Sequence, residues 1–177
     1  MNLVTYAIAA VVSLTPFTAI AASTQANSAA EAKLWAFSEE IALNLPGHSD
    51  DVSKIVSGSA KTTAERLSQG STLPDKEIGP SLFTRDSAIV MGAGHRADSV
   101  SFNLSGSCVP VASLRSRYPS LIVMDYARGD SEHATYTFGA QVGDAIIAYS
   151  FPAKKLNCMN RVEITPAAVT KARLRMK

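Results

Sequence analysis

Two cysteines, Cys108 and Cys158, are the residues of this 177-residue chain with the clearest capacity for chemistry. A cysteine at the start of a helix can be a nucleophile, because the helix dipole stabilises its thiolate. Two cysteines can instead be joined in a disulfide. Pro110 suits the first turn of a helix just after Cys108, so the local sequence permits either role. The compartment in which the protein folds decides between them.

The N-terminal segment predicts export. An uncharged apolar stretch runs from Leu3 to Leu14, and Ala19-Ile20-Ala21 then has the small residues typical of a cleavage site. We therefore expect a signal peptide over residues 1–21 and a periplasmic or secreted domain over 22–177. The stretch is too short to span a bilayer, and no lipid-anchor cysteine follows it, so we expect no stable membrane anchor after cleavage. A buried or interfacial N-terminal helix is the alternative.

Export leads to an oxidising compartment, where two cysteines in one domain are first interpreted as one disulfide. A bond between Cys108 and Cys158 closes a loop of roughly 50 residues and contributes about 4 kcal/mol in a loop-entropy estimate. In that case no free thiol remains for catalysis.

Helices are predicted first along the chain, over residues 28–67. Ser28 and Glu31 form a capping box, which predicts the start of a helix that Pro46-Gly47 ends. A second helix is expected over residues 50–67, and a connecting loop over 68–86. The core-facing residues of the first helix, at helical spacing, are Leu34, Phe37, Ile41 and Leu45.

Strands dominate residues 87–165. Residues 99–105 alternate between apolar and polar, and Gln141 to Asp144 predict a hairpin turn. The run Leu121 to Tyr126 is typical of a strand buried on both faces. We expect a short helix near residues 110–118, a last strand opening at Cys158, and a frayed basic tail over 170–177. Helices followed by a mainly antiparallel sheet predict an α+β fold.

A disulfide-stabilised domain without a free thiol is first interpreted as a binding protein. Two alternatives to this interpretation concern other functions. Cys108 precedes a predicted helix and His133 opens a later strand, a layout that resembles the NlpC/P60 family of peptidoglycan peptidases. That resemblance implies a cysteine nucleophile with a histidine base, although Gly-Ser-Cys-Val replaces the usual motif of the family. A structural or accessory envelope protein is the other alternative.

Other chemistry finds little support in the sequence. His48, His95 and His133 do not have the spacing of a zinc site, and Gly92-Ala93-Gly94 lacks the third glycine of a nucleotide-binding loop. The pI of 8.6 comes without a basic helix carrying aromatics, so nucleic acid is not an expected partner. We expect no metal, no cofactor and no enzymatic activity.

The predicted length after cleavage, single disulfide and strand-rich C-terminal half resemble, in general build, the periplasmic immunity proteins against type VI secreted peptidoglycan amidases. The resemblance implies a protein partner, either an amidase or a lysozyme-like effector, that this protein inhibits. The expected contact corner is Ser105, Gly106 and Ser107, held rigid by the adjacent disulfide. Arg115 and Tyr118 offer a second, basic and aromatic contact point.

Overall fold

The computed structural model describes residues 18–58, 73–128, 131 and 134–175. Within these ranges the chain forms four α-helices and eight β-strands. The helices are α1 (Thr18–Leu43), α2 (Ser49–Ser57), α3 (Val111–Arg117) and α4 (Ala167–Leu174). The strands are β1 (Gly47–His48), β2 (Lys76–Gly79), β3 (Leu82–Met91), β4 (Arg96–Gly106), β5 (Ile122–Asp125), β6 (Thr135–Val142), β7 (Ala145–Pro152) and β8 (Arg161–Pro166).

The strands form one antiparallel sheet in the order β2-β3-β4-β8-β7-β6-β5, and β1 pairs with β4. Neighbouring strands are mostly consecutive in the chain, and the exceptions are the pairings of β4 with β8 and with β1. The predicted α+β fold, with N-terminal helices followed by an antiparallel sheet and one disulfide, is confirmed. Strands β2 and β5 are the two ends of the sheet order.

Helix α1 packs on one face of the sheet. Phe37 of the helix contacts Phe102 of β4, and Trp35 contacts Tyr149 of β7, each with ring centroids 5.5 Å apart. All four residues predicted to face the core are buried: Leu34, Phe37 and Ile41 lie in α1, and Leu45 lies just after its end. In β4 the core-facing residues, such as Val100 and Phe102, alternate with polar side chains on the other face. This explains why the alternation predicted β4 correctly.

The helix boundaries differ from those predicted. Helix α1 begins at Thr18, so the expected start at Ser28 is wrong, because the alanine-rich sequence before it also favours a helix. Helix α2 ends at Ser57, where Gly58 takes a left-handed C-cap conformation that suits glycine. Residues 1–17 and 59–72 lie outside the described residues. No helix in the described ranges is long and apolar enough to cross a bilayer.

The expected loop over 68–86 is wrong where the structure describes it, because β2 and the first half of β3 lie there. Leu82 and Thr84 point into the core, but a bulge at Asp86 shifts the register before Ala88. Asp86 has a φ of 48°, the left-handed conformation common at bulges. The bulge interrupts the alternation on which the strand prediction depended.

Three predictions about the C-terminal half need correction. Strand β5 is an end strand rather than a strand buried on both faces, since Val123 is 62% exposed. Cys158 lies in the turn before β8, which begins at Arg161. The expected frayed tail forms helix α4, which packs against β7 and β8 and buries Thr170, whose hydroxyl hydrogen-bonds that of Thr165.

Candidate functional site

The disulfide joins Cys108, just after β4, to Cys158, in the turn between β7 and β8, with Cα atoms 4.5 Å apart. The two segments also run side by side through backbone hydrogen bonds. The Met159 amide donates to the Val109 carbonyl at 2.9 Å, and the Val111 amide donates to the Leu156 carbonyl at 3.1 Å. Helix α3 begins at Val111, so the covalent bond and these hydrogen bonds fix its N-terminus.

The bonded sulfur of Cys108 is not available as a nucleophile. The histidine base that the peptidase layout would need, His133, lies outside the described residues. His48 and His95 are exposed and lie in β1 and in a short 3₁₀ turn. Among the described residues no three His, Cys, Asp or Glu side chains gather into a group that could hold a metal ion.

The predicted contact corner is the end of β4, where Gly106 is exposed and Ser105 and Ser107 are partly exposed. The Ser107 amide donates to the Ser81 carbonyl at 2.7 Å, and its hydroxyl donates to the Pro80 carbonyl at 3.1 Å. Ser105 accepts a hydrogen bond from Arg85 Nε at 3.1 Å. Gly106 has a φ of 96° and passes so close to the Ser81 carbonyl that a Cβ would overlap it. These contacts hold the corner against the β2–β3 turn.

Arg115 and Tyr118 lie three strands away from that corner, beside β6. They line a recess of 340 Å³ between α3 and the end of the sheet. The Arg115 guanidinium lies over the Phe138 ring, 6.0 Å from its centroid. We call this recess the edge groove, and its described lining is Arg115, Tyr118, Pro119, Leu121, Val123 and Phe138.

The C-terminal end of α3 is fixed to α1 by a charged cluster. Arg117 donates to both carboxylate oxygens of Glu39, at 2.7 and 2.8 Å from Nη2 and 3.0 Å from Nε. The Tyr118 hydroxyl donates to the same carboxylate at 2.7 Å. A bidentate pair of this kind holds both partners in one orientation. Helix α3 is therefore fixed at both ends, by the disulfide and by Glu39.

The cluster continues into the core through a second tyrosine. The Tyr149 hydroxyl lies 3.2 Å from the Tyr118 hydroxyl and 3.1 Å from Ser38 Oγ. Burial raises the pKa of Tyr118 to about 12 and raises the pKa of Tyr149 well above its usual value. Both hydroxyls are therefore neutral at physiological pH and act as hydrogen-bonding groups that position α3.

Strand β5 leaves one side of the edge groove open. It pairs with β6 on one side, with Val123 opposite Phe138, and no described strand pairs with its other side. Val123 is 62% exposed and Tyr126, just after the strand, is 57% exposed. An exposed sheet end with apolar side chains is a ready surface for another chain.

The structure thus brings together two of the five predicted contact residues, Arg115 and Tyr118, and places the other three elsewhere. Sequence reasoning missed Leu121, Val123 and Phe138, which complete the edge groove. The apolar run around Val123 predicts a strand buried on both faces. Apolar character alone does not distinguish a central strand from an end strand. Only the strand order places Val123 and Phe138 beside α3.

A larger groove, of 490 Å³, lies between α1, α2 and β2. Its described lining carries both acidic and basic side chains, including Glu40, Asp51, Lys54 and Lys76. Lys76 donates to the Ile55 carbonyl at 2.7 Å, so its ammonium already has a structural partner. Burial lowers the pKa of Lys76. This groove offers a ligand no unbalanced charge, unlike the edge groove.

The edge groove has the features of a binding surface, since it combines an apolar floor, a guanidinium and the side of β5 that no described strand pairs with. Its described lining consists of arginine, tyrosine, proline, leucine, valine and phenylalanine side chains. No family model matches the chain, and the comparisons with curated proteins and with solved structures found no match.

Proposed function

We propose that this chain is an exported binding protein that acts as an immunity or inhibitor protein, and that the edge groove is its contact surface. The proposed partner is a cell-wall-degrading enzyme, either a peptidoglycan amidase or a lysozyme-like effector. The observation that carries the binding role is the open end of the sheet at Val123, next to a recess whose one charged lining residue, among those described, is Arg115.

Rigidity supports this proposal. A surface that is ordered before binding loses little conformational entropy when a partner docks. Helix α3 is held by the Cys108–Cys158 bond at one end and by the Glu39 carboxylate at the other. The side chains that α3 presents are therefore positioned before any partner arrives.

The residue types at the edge groove also suit protein binding. Tyrosine and arginine are enriched among the residues that contribute most to protein interfaces, whereas exposed valine supplies apolar contact area. Tyr118 is half-buried, and Arg115 and Val123 are exposed. The choice of a cell-wall enzyme as partner comes from the resemblance in general build to periplasmic immunity proteins, together with the predicted export.

Inhibition assays with purified peptidoglycan amidases and lysozymes test the proposal. We expect the oxidised protein to inhibit at least one of them, and Val123→Asp to weaken that inhibition tenfold or more, about 1.4 kcal/mol of binding free energy. Val169→Asp is the matched control, because Val169 is 61% exposed on α4 and lies outside the edge groove. It should inhibit like the unmodified protein.

Two results would overturn the proposal. The first is that no amidase or lysozyme is inhibited at micromolar protein, which would favour a structural or accessory envelope role. The second is that Val123→Asp and Val169→Asp weaken inhibition equally, which would place the contact surface elsewhere. Melting temperatures of both variants establish that they are folded before the comparison is made.

A further inference from the structure

The end strand β5 and the groove beside it constrain what kind of segment can occupy them. We infer that the occupant is an extended segment of the partner that adds to β5 as a new strand and places an acidic side chain against Arg115. This inference rests on the proposed binding function, and it specifies the conformation and the charge of the bound segment.

The backbone argument comes from the position of β5. As the terminal strand of the sheet, it has one row of amide and carbonyl groups that no described strand pairs with. An extended peptide satisfies such groups by continuing the ladder, which gives affinity without regard to side chains. The strand carries no proline, so every residue of its open side keeps a backbone amide for such pairing.

The side-chain argument comes from Arg115. Its guanidinium lies over Phe138 and, of the described residues that line the groove, it alone is charged. Arg117, on the same helix, is by contrast neutralised by Glu39 at 2.7 Å. A guanidinium without a carboxylate partner, beside an apolar surface, favours a ligand that supplies the carboxylate.

The spacing of strands makes the two contacts compatible. A strand added beyond β5 lies about 10 Å from β6, where Phe138 carries the stacked guanidinium. A residue opposite Val123 on that strand points toward the same face as Val123 and Phe138, since directly paired residues share a face. Glutamate and arginine side chains together can span this gap.

A second copy of this chain is a poorer occupant. The acidic residue of β5 is Asp125, which pairs with Thr137 after a bulge and so lies with Thr137 on the face opposite Phe138. A copy that paired through its own β5 would not bring Asp125 to Arg115. A partner with alternating apolar and acidic residues supplies the carboxylate on the correct face.

Two synthetic peptides test the inference without any cell-wall enzyme. The first is acetyl-Thr-Val-Glu-Val-Thr-amide, and the second has lysine in place of glutamate. Both are titrated into the oxidised full chain and followed by backbone amide NMR. We expect the glutamate peptide to perturb and protect the β5 amides and to bind at least fivefold more tightly than the lysine peptide.

Arg115→Glu provides the charge-reversal variant. It should reverse the preference, so that the lysine peptide binds more tightly, which a misfolded variant could not do. Arg173→Glu, an exposed basic residue on α4, is the control and should keep the glutamate preference.

Three results would overturn the inference: perturbed amides outside β5, equal affinity of both peptides, or a concentration-dependent dimer that Val123→Asp abolishes. If an amidase or lysozyme is inhibited through Val123 while the β5 amides stay unprotected in that complex, the proposed function stands and the added strand does not. If the peptides bind as expected but no such enzyme is inhibited, the added strand stands and the inhibitor role does not.

Discussion

At the scale of single residues, the tyrosine pair between α3 and the sheet connects the site to the core. Tyr118 bonds Glu39 at its exposed end, and Tyr149 bonds Ser38 at its buried end. Trp35 packs edge-on against both rings, at 6.0 and 5.5 Å between centroids. These contacts bury Tyr149 fully and Tyr118 in part, and the burial makes the ionised form of each tyrosine unfavourable.

That cost predicts loss of stability in alkali. In the unfolded chain tyrosine ionises near pH 10, whereas the pKa of Tyr118 in the folded protein is about 12. Between these values the unfolded state binds fewer protons than the folded state, so the free energy of unfolding falls as pH rises from about 10 to about 12 and is unaffected by these groups below that window. The burial of Tyr149 acts in the same direction.

Urea unfolding at a series of pH values measures this loss. Tyr118→Phe and Tyr149→Phe should each lose less stability than the unmodified protein between about pH 9 and about pH 11.5. Tyr126→Phe, whose ring is 57% exposed, should follow the unmodified protein. Identical pH slopes for all four proteins would show that the buried hydroxyls do not control alkaline stability.

At the scale of elements, the short helix α3 depends on its two attachments, because seven residues cannot hold a helix alone. The bond at Cys108 also closes a segment with a sequence separation of 50, which contains α3, β5, β6 and β7. The disulfide thus has two effects: it limits the unfolded ensemble and it fixes the element that carries Arg115.

We therefore predict that the double substitution Cys108→Ser/Cys158→Ser lowers the free energy of unfolding by about 4 kcal/mol, within a usual range of about 2–5 kcal/mol. Chemical denaturation measures it, and reductant added to the unmodified protein should cause a similar loss. Reductant should leave the double variant unchanged. A double variant as stable as the oxidised protein would mean that the backbone hydrogen bonds around Val109 hold α3 unaided.

The elements also show which features the sequence could predict. Alternation identified β4, turn-forming residues identified the hairpin turn at Gly143, and Pro110 indicated the start of α3. Each of these signals is local in the sequence. Alternation missed β2 and the first half of β3, where the bulge at Asp86 breaks the period. The edge groove was predicted only at Arg115 and Tyr118, since its other half depends on the order of strands, which no local pattern determines.

At the scale of the whole molecule, the sheet is covered unequally. Helix α1 covers one face across several strands, and α4 covers a limited part of the other face, beside β7 and β8. At one end of the sheet order β2 faces α1, whereas at the other end β5 has no described helix over its outer side. This asymmetry leaves the β5 end of the sheet without a described helix over it, and this is the end where the proposed partner would bind.

The buried residues of α1 that the structure describes, such as Ala30, lie after the expected cleavage site. We predict that protein isolated from the cell envelope begins at Ala22 and carries no free thiol. Its thermal midpoint should match that of a chain expressed from Ala22 and oxidised in vitro.

Intact-mass measurement with and without alkylation of thiols provides this test. Cleavage and oxidation are linked, because the export that removes a signal peptide delivers the chain to the compartment in which Cys108 and Cys158 become joined. A native protein that retains Met1 and has two alkylated cysteines would place the chain in a reducing compartment. In that compartment α3 would lose one of its two attachments, cell-wall enzymes would be out of reach, and the proposed inhibitor role would have to be abandoned.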